Sequence, residues 1–97
     1  MTGFQSDGFV VQREVVLTNT LGLHIRPAKQ FTDIAAKYQA DVFIVRDNLR
    51  VNAKSIMGVI MLAAAKGTKL TLECSGEDEE QLLKELVALI ENKFGED

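Results

Sequence analysis

The chain reads as an α+β fold: a small, largely antiparallel sheet of four strands carrying three helices on one face, in the order β-α-β-β-α-β-α. Three observations predict it. Segments 10–17, 41–46, 49–52 and 68–75 are rich in β-branched and apolar residues with polar ones interleaved. Three other segments space their apolar residues three and four apart, the mark of an amphipathic helix. The connections are short, with no linker, repeat or low-complexity block. In this order the elements suggest a split βαβ arrangement. The 97 residues make one domain, 10–95, behind a flexible tail, 1–9, that carries two glycines.

In the first strand, VVQREVVL (10–17), Arg13, Val15 and Leu17 share one face, and Val15 and Leu17 should turn to the core. TNTLG (18–22) is turn chemistry. Pro27 then suits the first position of a helix, where its missing N–H costs little. Phe31, Ile34, Ala35 and Tyr38 form the buried stripe of that helix. Lys29, Gln30, Thr32, Asp33 and Lys37 lie outside the stripe, and Asp33 and Asp41 read as solvated charges. DVFIVR and LRVN are two strands joined at Asp47-Asn48, residues that tolerate positive φ in a tight hairpin.

A second helix is expected over 55–67, with Ser55 as N-cap and Lys66-Gly67 as its end, although Gly58 weakens its interior. Helical spacing puts Ile56, Val59, Ile60 and Ala63 on its core side. Met57 and Met61 fall on the other side, as packing residues or as an adaptable apolar patch for a partner. The last strand alternates Leu70, Leu72 and Cys74 against Lys69, Thr71 and Glu73, and Cys74 reads as a small apolar residue. The third helix, 76–95, opens with Glu77, Asp78, Glu79 and Glu80, which suit the positive end of the helix dipole. Leu82, Leu86, Leu89 and Ile90 form its stripe, Phe94 lies near its end, and Gly95 closes it.

Composition narrows function. The formal charge is −3, and the eleven basic residues are scattered with few aromatics between them. That argues against nucleic acid and against an anionic membrane surface. The N-terminal stretch has no secretory pattern, no run approaches a transmembrane length, and Cys74 has no partner for an internal disulfide. A cytoplasmic protein without membrane insertion is the expectation. One Cys and one His fall short of a metal-ligand set, so no metal is expected.

The chemistry sits in LGLHIRPA (21–28), which holds the only histidine and the only proline. The first N–H groups of a helix have no intrahelical partner and form a weak anion site with the dipole. Proline should keep Arg26 out of helical geometry, so the Ile25 and Arg26 amides can face a ligand beside His24. Imidazole is partly neutral and nucleophilic near neutrality, and Arg26 adds a planar fork of donors suited to phosphate. Nucleophile, anion cradle and guanidinium together fit phosphoryl acceptance. Taken without its neighbours, a lone histidine at a helix mouth is more often plain capping or packing. A hydrolytic triad has no partner residues here.

LGLHIRPA and NAKSIMGVIMLAAAKG (52–67) resemble the two signature segments of the HPr family, the histidine phosphocarriers of the phosphoenolpyruvate:sugar phosphotransferase system. The similarity runs from about residue 10 to 94. It implies an open-faced β-sandwich, four antiparallel strands under three helices. His24 matches the histidine that the family phosphorylates on Nδ1, and Arg26 the arginine that assists transfer. Ile25 and Arg26 supply the matching amides, and Pro27 the proline that opens the helix. Ser55 matches a serine modified by an ATP-dependent HPr kinase/phosphorylase in many bacteria, although on its own it is a plain N-cap. A phosphate there would repel acidic partners while suiting the helix start. Ile56, Met57 and Met61 match the docking surface beside the active site. Two departures stand out: Ile25 replaces a small residue, and the stretch after IMLAA lacks the family's serine- or glycine-rich composition.

The resemblance implies a carrier charged by enzyme I and discharged to IIA components, rather than a stand-alone turnover enzyme. It needs no cofactor and is expected to be a monomer, since relayed transfer favours small transient interfaces. Two alternatives stay open. One is the carrier of a nitrogen-type regulatory branch. The other is a regulatory binding module governed by Ser55 phosphorylation, with His24 idle.

Overall fold

The computed structural model describes residues 10–96; the expected flexible tail lies outside the described residues. The strands are β1 (Val10–Val16), β2 (Asp41–Arg46), β3 (Leu49–Asn52) and β4 (Lys69–Ser75). The helices are α1 (Ile25–Ala36), α2 (Ile56–Met61) and α3 (Glu79–Glu91), followed by a 3₁₀ turn, Lys93–Gly95. The sheet order is β1-β4-β2-β3, and every pairing is antiparallel, with Val15 opposite Leu70 and Ile44 opposite both Leu72 and Val51. This is the four-stranded, three-helix architecture expected. Among the described residues, no helix is long and apolar enough to cross a membrane.

The two-residue period of the strands decides which face the helices cover. Val15, Val42, Ile44, Val51, Leu70, Leu72 and Cys74 point into the core, together with Leu17 just past β1. Ala28, Phe31 and Ala35 of α1 meet them, as do Leu82, Leu86, Val87 and Ile90 of α3. α1 packs against both α2 and α3. The opposite sheet face is open: Arg50 lies 3.8 Å from the Phe43 ring centroid and pairs with Glu73 at 3.0 Å. Arg13, on the core-facing side of edge strand β1, stays exposed and reaches Glu91 of α3 at 3.6 Å. Asp47 takes φ +53° in the β2–β3 turn, as its side chain tolerates.

Four expectations are corrected. α1 starts earlier: His24 is its N-cap, so Ile25 and Arg26 are helical and Pro27 is the third helical residue. The first four N–H groups are all without intrahelical partners, so proline is as harmless there as at the first position. Thr32 is buried, its hydroxyl donating to the Lys29 carbonyl at 3.1 Å. α2 stops at Met61, well short of Gly67, and Ala63 is exposed with φ +48° while Leu62 and Ala64 are buried. α3 is shorter at both ends than 76–95, and Phe94 is turned into the core by its own positive φ of 55°. Asp78 is the N-cap residue of α3, but its side chain makes no capping bond to the helix. Its carboxylate accepts from the Gln39 and Ala40 amides at 3.0 and 2.8 Å.

Candidate functional site

The site is built on the loop between β1 and α1. Leu17 anchors the loop entry, its N–H donating to Thr68 O at 3.0 Å and its carbonyl accepting from Gly67 N–H at 2.8 Å. Leu23 anchors the exit, donating to Ala64 O at 2.9 Å. Between them Gly22 takes φ +67°, and a Cβ there would lie 2.4 Å from Ala64 O. Only glycine accepts both the left-handed backbone and that approach. The turn is closed from inside by Asn19, which is fully buried. Its Nδ2 donates to Gly22 O at 2.8 Å and to Glu96 Oε1 at 2.9 Å.

His24 follows in extended geometry (φ −79°, ψ −172°), its N–H donating to Gly22 O at 3.0 Å and its carbonyl accepting from Ala28 N–H at 3.0 Å. Its side chain makes no capping bond to α1. The imidazole Nε2 instead lies 3.0 and 3.2 Å from the two carboxylate oxygens of Glu96. The ring side chain is 34% exposed and the Glu96 side chain only 12%. The hydrogen bond from Asn19 holds the Glu96 carboxyl below the usual carboxylate range, aided by the bond to His24 and the nearby Arg26 guanidinium. Thr20, Leu21, His24, Arg26 and Glu96 line one shallow depression, and both Leu21 and Ile25 are exposed.

The expected residues therefore gather in part. His24, Ile25, Arg26 and Pro27 form the first turn of α1, with Pro27 buried beneath it. Ser55 is the N-cap of α2, its Oγ accepting from Gly58 N–H at 3.2 Å. Gly58 fits because a Cβ would sit 3.0 Å from Asn52 O. Met57 and Met61 are 65% and 64% exposed, on the outer side of α2, while Ile56 and Ile60 are half-buried against the core. Sequence reasoning missed Asn19 and Glu96. Asn19 was visible only as a turn former, and Glu96 lies 72 positions from His24 with no motif around it.

The family model described as "PTS HPr component phosphorylation site" matches residues 11–92. The phosphocarrier protein HPr of Neisseria meningitidis serogroup A is 42% identical over 87 residues, covering 90% of this chain and 98% of that protein. The crystal structure of HPr from Thermoanaerobacter tengcongensis superposes with a TM-score of 0.87 at 42% identity, covering 90% of this chain and 98% of that one. The Bacillus subtilis catabolite-repression protein Crh, described as a swapped dimer, aligns with a TM-score of 0.70 at 42% identity, covering 86% of this chain and 95% of that one. With both signature segments falling inside the matched range, the chain belongs to the HPr phosphocarrier family.

Proposed function

We propose that this protein is a cytoplasmic phosphocarrier that takes a phosphoryl group on His24 from phosphorylated enzyme I and passes it to IIA components. The observation that carries this reading is the placement of His24 as N-cap of α1. The imidazole sits where Ile25 and Arg26 present amides without intrahelical partners, and the Arg26 side chain lines the same depression. Dipole and guanidinium favour the dianionic phosphoryl group, while the open depression lets a protein partner approach. Leu21 in the depression, Ile25 in the first turn of α1, and Met57 and Met61 on α2 are all exposed, adaptable apolar groups suited to transient docking.

Ser55 is the regulatory site in this proposal, modified by an HPr kinase/phosphorylase. Its hydroxyl is at the surface, and a phosphate there adds charge next to Met57 and Met61. The exposed Ser55 hydroxyl at the start of α2, two residues before the exposed Met57, favours one second reading: a module whose partner binding depends on Ser55 alone.

The test is incubation with enzyme I and phosphoenolpyruvate. The protein should gain one acid-labile phosphate, transferable to a IIA acceptor, and His24→Ala should gain none. Equal labelling of His24→Ala would overturn the assignment. Ser55→Ala should still be labelled at His24 but refuse phosphate from the serine kinase. A wild-type chain that never labels, yet binds partners only when Ser55 is phosphorylated, would establish the second reading instead.

A further inference from the structure

We infer that Glu96 is a positioning residue that holds His24 in the tautomer with its proton on Nε2, leaving the Nδ1 lone pair as the phosphoryl acceptor, and that Asn19 orients Glu96 for this task. The inference rests on the phosphocarrier reading and deepens it. It starts from donor arithmetic. A carboxylate only accepts hydrogen bonds. Glu96 faces His24 Nε2 at 3.0 Å and Asn19 Nδ2 at 2.9 Å, so both nitrogens must donate. A neutral imidazole that donates from Nε2 has its lone pair on Nδ1.

The orientation of Glu96 is built rather than incidental. Asn19 is wholly buried, and its amide is fixed by a second bond to Gly22 O at 2.8 Å. The same Gly22 carbonyl accepts from the His24 N–H at 3.0 Å. One buried side chain thus ties together the backbone before the imidazole and the carboxylate behind it. The arrangement follows the logic by which a buried acid fixes tautomer and ring angle in an acid–histidine pair.

The transfer step balances without an added proton carrier. The Nδ1 lone pair attacks phosphorus, the N–P bond forms, and the bond from phosphorus to the donor atom of phosphorylated enzyme I breaks with its electron pair returning to that atom. The proton stays on Nε2. The ring thereby becomes cationic, and the Glu96 carboxylate on its far side stabilises that charge in place. Discharge to a IIA acceptor reverses the same steps.

Two measurements on the full chain test the inference. Nitrogen-15 NMR of the unphosphorylated protein reads the tautomer directly, independent of any phosphotransfer. Rapid-quench labelling by enzyme I and phosphoenolpyruvate reads uptake. In the wild type Nε2 should be protonated and Nδ1 not. Glu96→Ala should show the two ring nitrogens averaging toward each other, and uptake should slow about tenfold, a fraction of what a fully buried acid achieves. Glu96→Gln keeps a carbonyl acceptor, so it should retain the Nε2–H tautomer with uptake between those of the wild type and Glu96→Ala. Glu91→Gln, at the Arg13 pair, should behave as wild type. An unchanged tautomer or unchanged uptake in Glu96→Ala would overturn the inference. If no variant is labelled and the wild type is not either, the phosphocarrier reading fails, and the NMR comparison still decides what Glu96 does to the ring.

Discussion

Gly22 concentrates the demands of the site in one residue. It takes a positive φ, it passes within contact of the Ala64 carbonyl, and its own carbonyl accepts from both Asn19 Nδ2 and His24 N–H. Gly22→Ala therefore adds a methyl group against rigid backbone and strains φ together. Destabilisation of roughly 2–3 kcal/mol is expected, read as a lower urea midpoint with unchanged slope. Because the shared carbonyl moves, phosphoryl uptake should fall as well, at temperatures where the variant is still folded. Stability within experimental error of the wild type would show that the loop relaxes freely. At this scale the sequence was informative where chemistry and local geometry coincide. His24, Arg26 and the TNTLG turn are contiguous, so their roles at a helix start could be argued from order alone. Asn19 and Glu96 meet only because the chain end returns beside α1, 77 positions after Asn19. No local periodicity encodes that return.

The elements were legible in type and less so in extent, and α2 shows why. IMGVIMLAAAKG has the composition of a continuous helix, since alanine is the best helix former. Tertiary demand overrides it after Met61. Ala64 O is committed to Leu23 N–H, and the Leu62 and Ala63 carbonyls are taken by the Arg46 guanidinium at 2.5 and 3.3 Å. Leu62 and Ala64 are both buried, which a straight helix could not achieve at a spacing of two. The chain turns through Ala63 in the left-handed region, which costs an L-residue roughly 1–2 kcal/mol. Ala63 is exposed, so removing its methyl group loses little packing. Ala63→Gly should accordingly raise stability by up to about 1 kcal/mol, the strain relieved less the extra entropy of an unfolded glycine. A higher thermal midpoint checks this; a lower one would mean the strain at Ala63 is smaller than the entropy of glycine. In the sheet, element and pattern agree. The strands match their expected spans within a residue, because alternation against a single buried face leaves little freedom of register.

Across the whole molecule, the C-terminal third grips α1 with carboxylates. Asp78 accepts from the Gln39 and Ala40 amides just after α1. Glu85 accepts from Tyr38 Oη at 2.5 Å and Lys37 Nζ at 3.0 Å near its C-terminal end. Glu96 accepts from His24 at its N-terminal end. All three carboxyls are held below their usual range. For Asp78 the leading cause is the bond from Gln39 N–H, for Glu85 the bond from Tyr38, and for Glu96 the bond from Asn19. A carboxyl whose folded-state pKa is depressed stabilises the fold above its unfolded value, roughly 4, and loses that contribution as pH falls through the folded value. Stability should therefore be level near neutrality and decline progressively below about pH 4–5. Asp78→Asn and Glu85→Gln separate this linkage from ordinary packing. Each variant should be less stable than the wild type at pH 7, and the gap should close toward pH 3 as the wild-type carboxyl takes up its proton. Urea unfolding across that range makes the comparison, and a gap that stays constant would show that these carboxylates do not tie the acid limb to α1. The surfaces involved are solvent-accessible, so added salt should shrink the Lys37–Glu85 contribution while leaving the amide-bound Asp78 comparatively untouched.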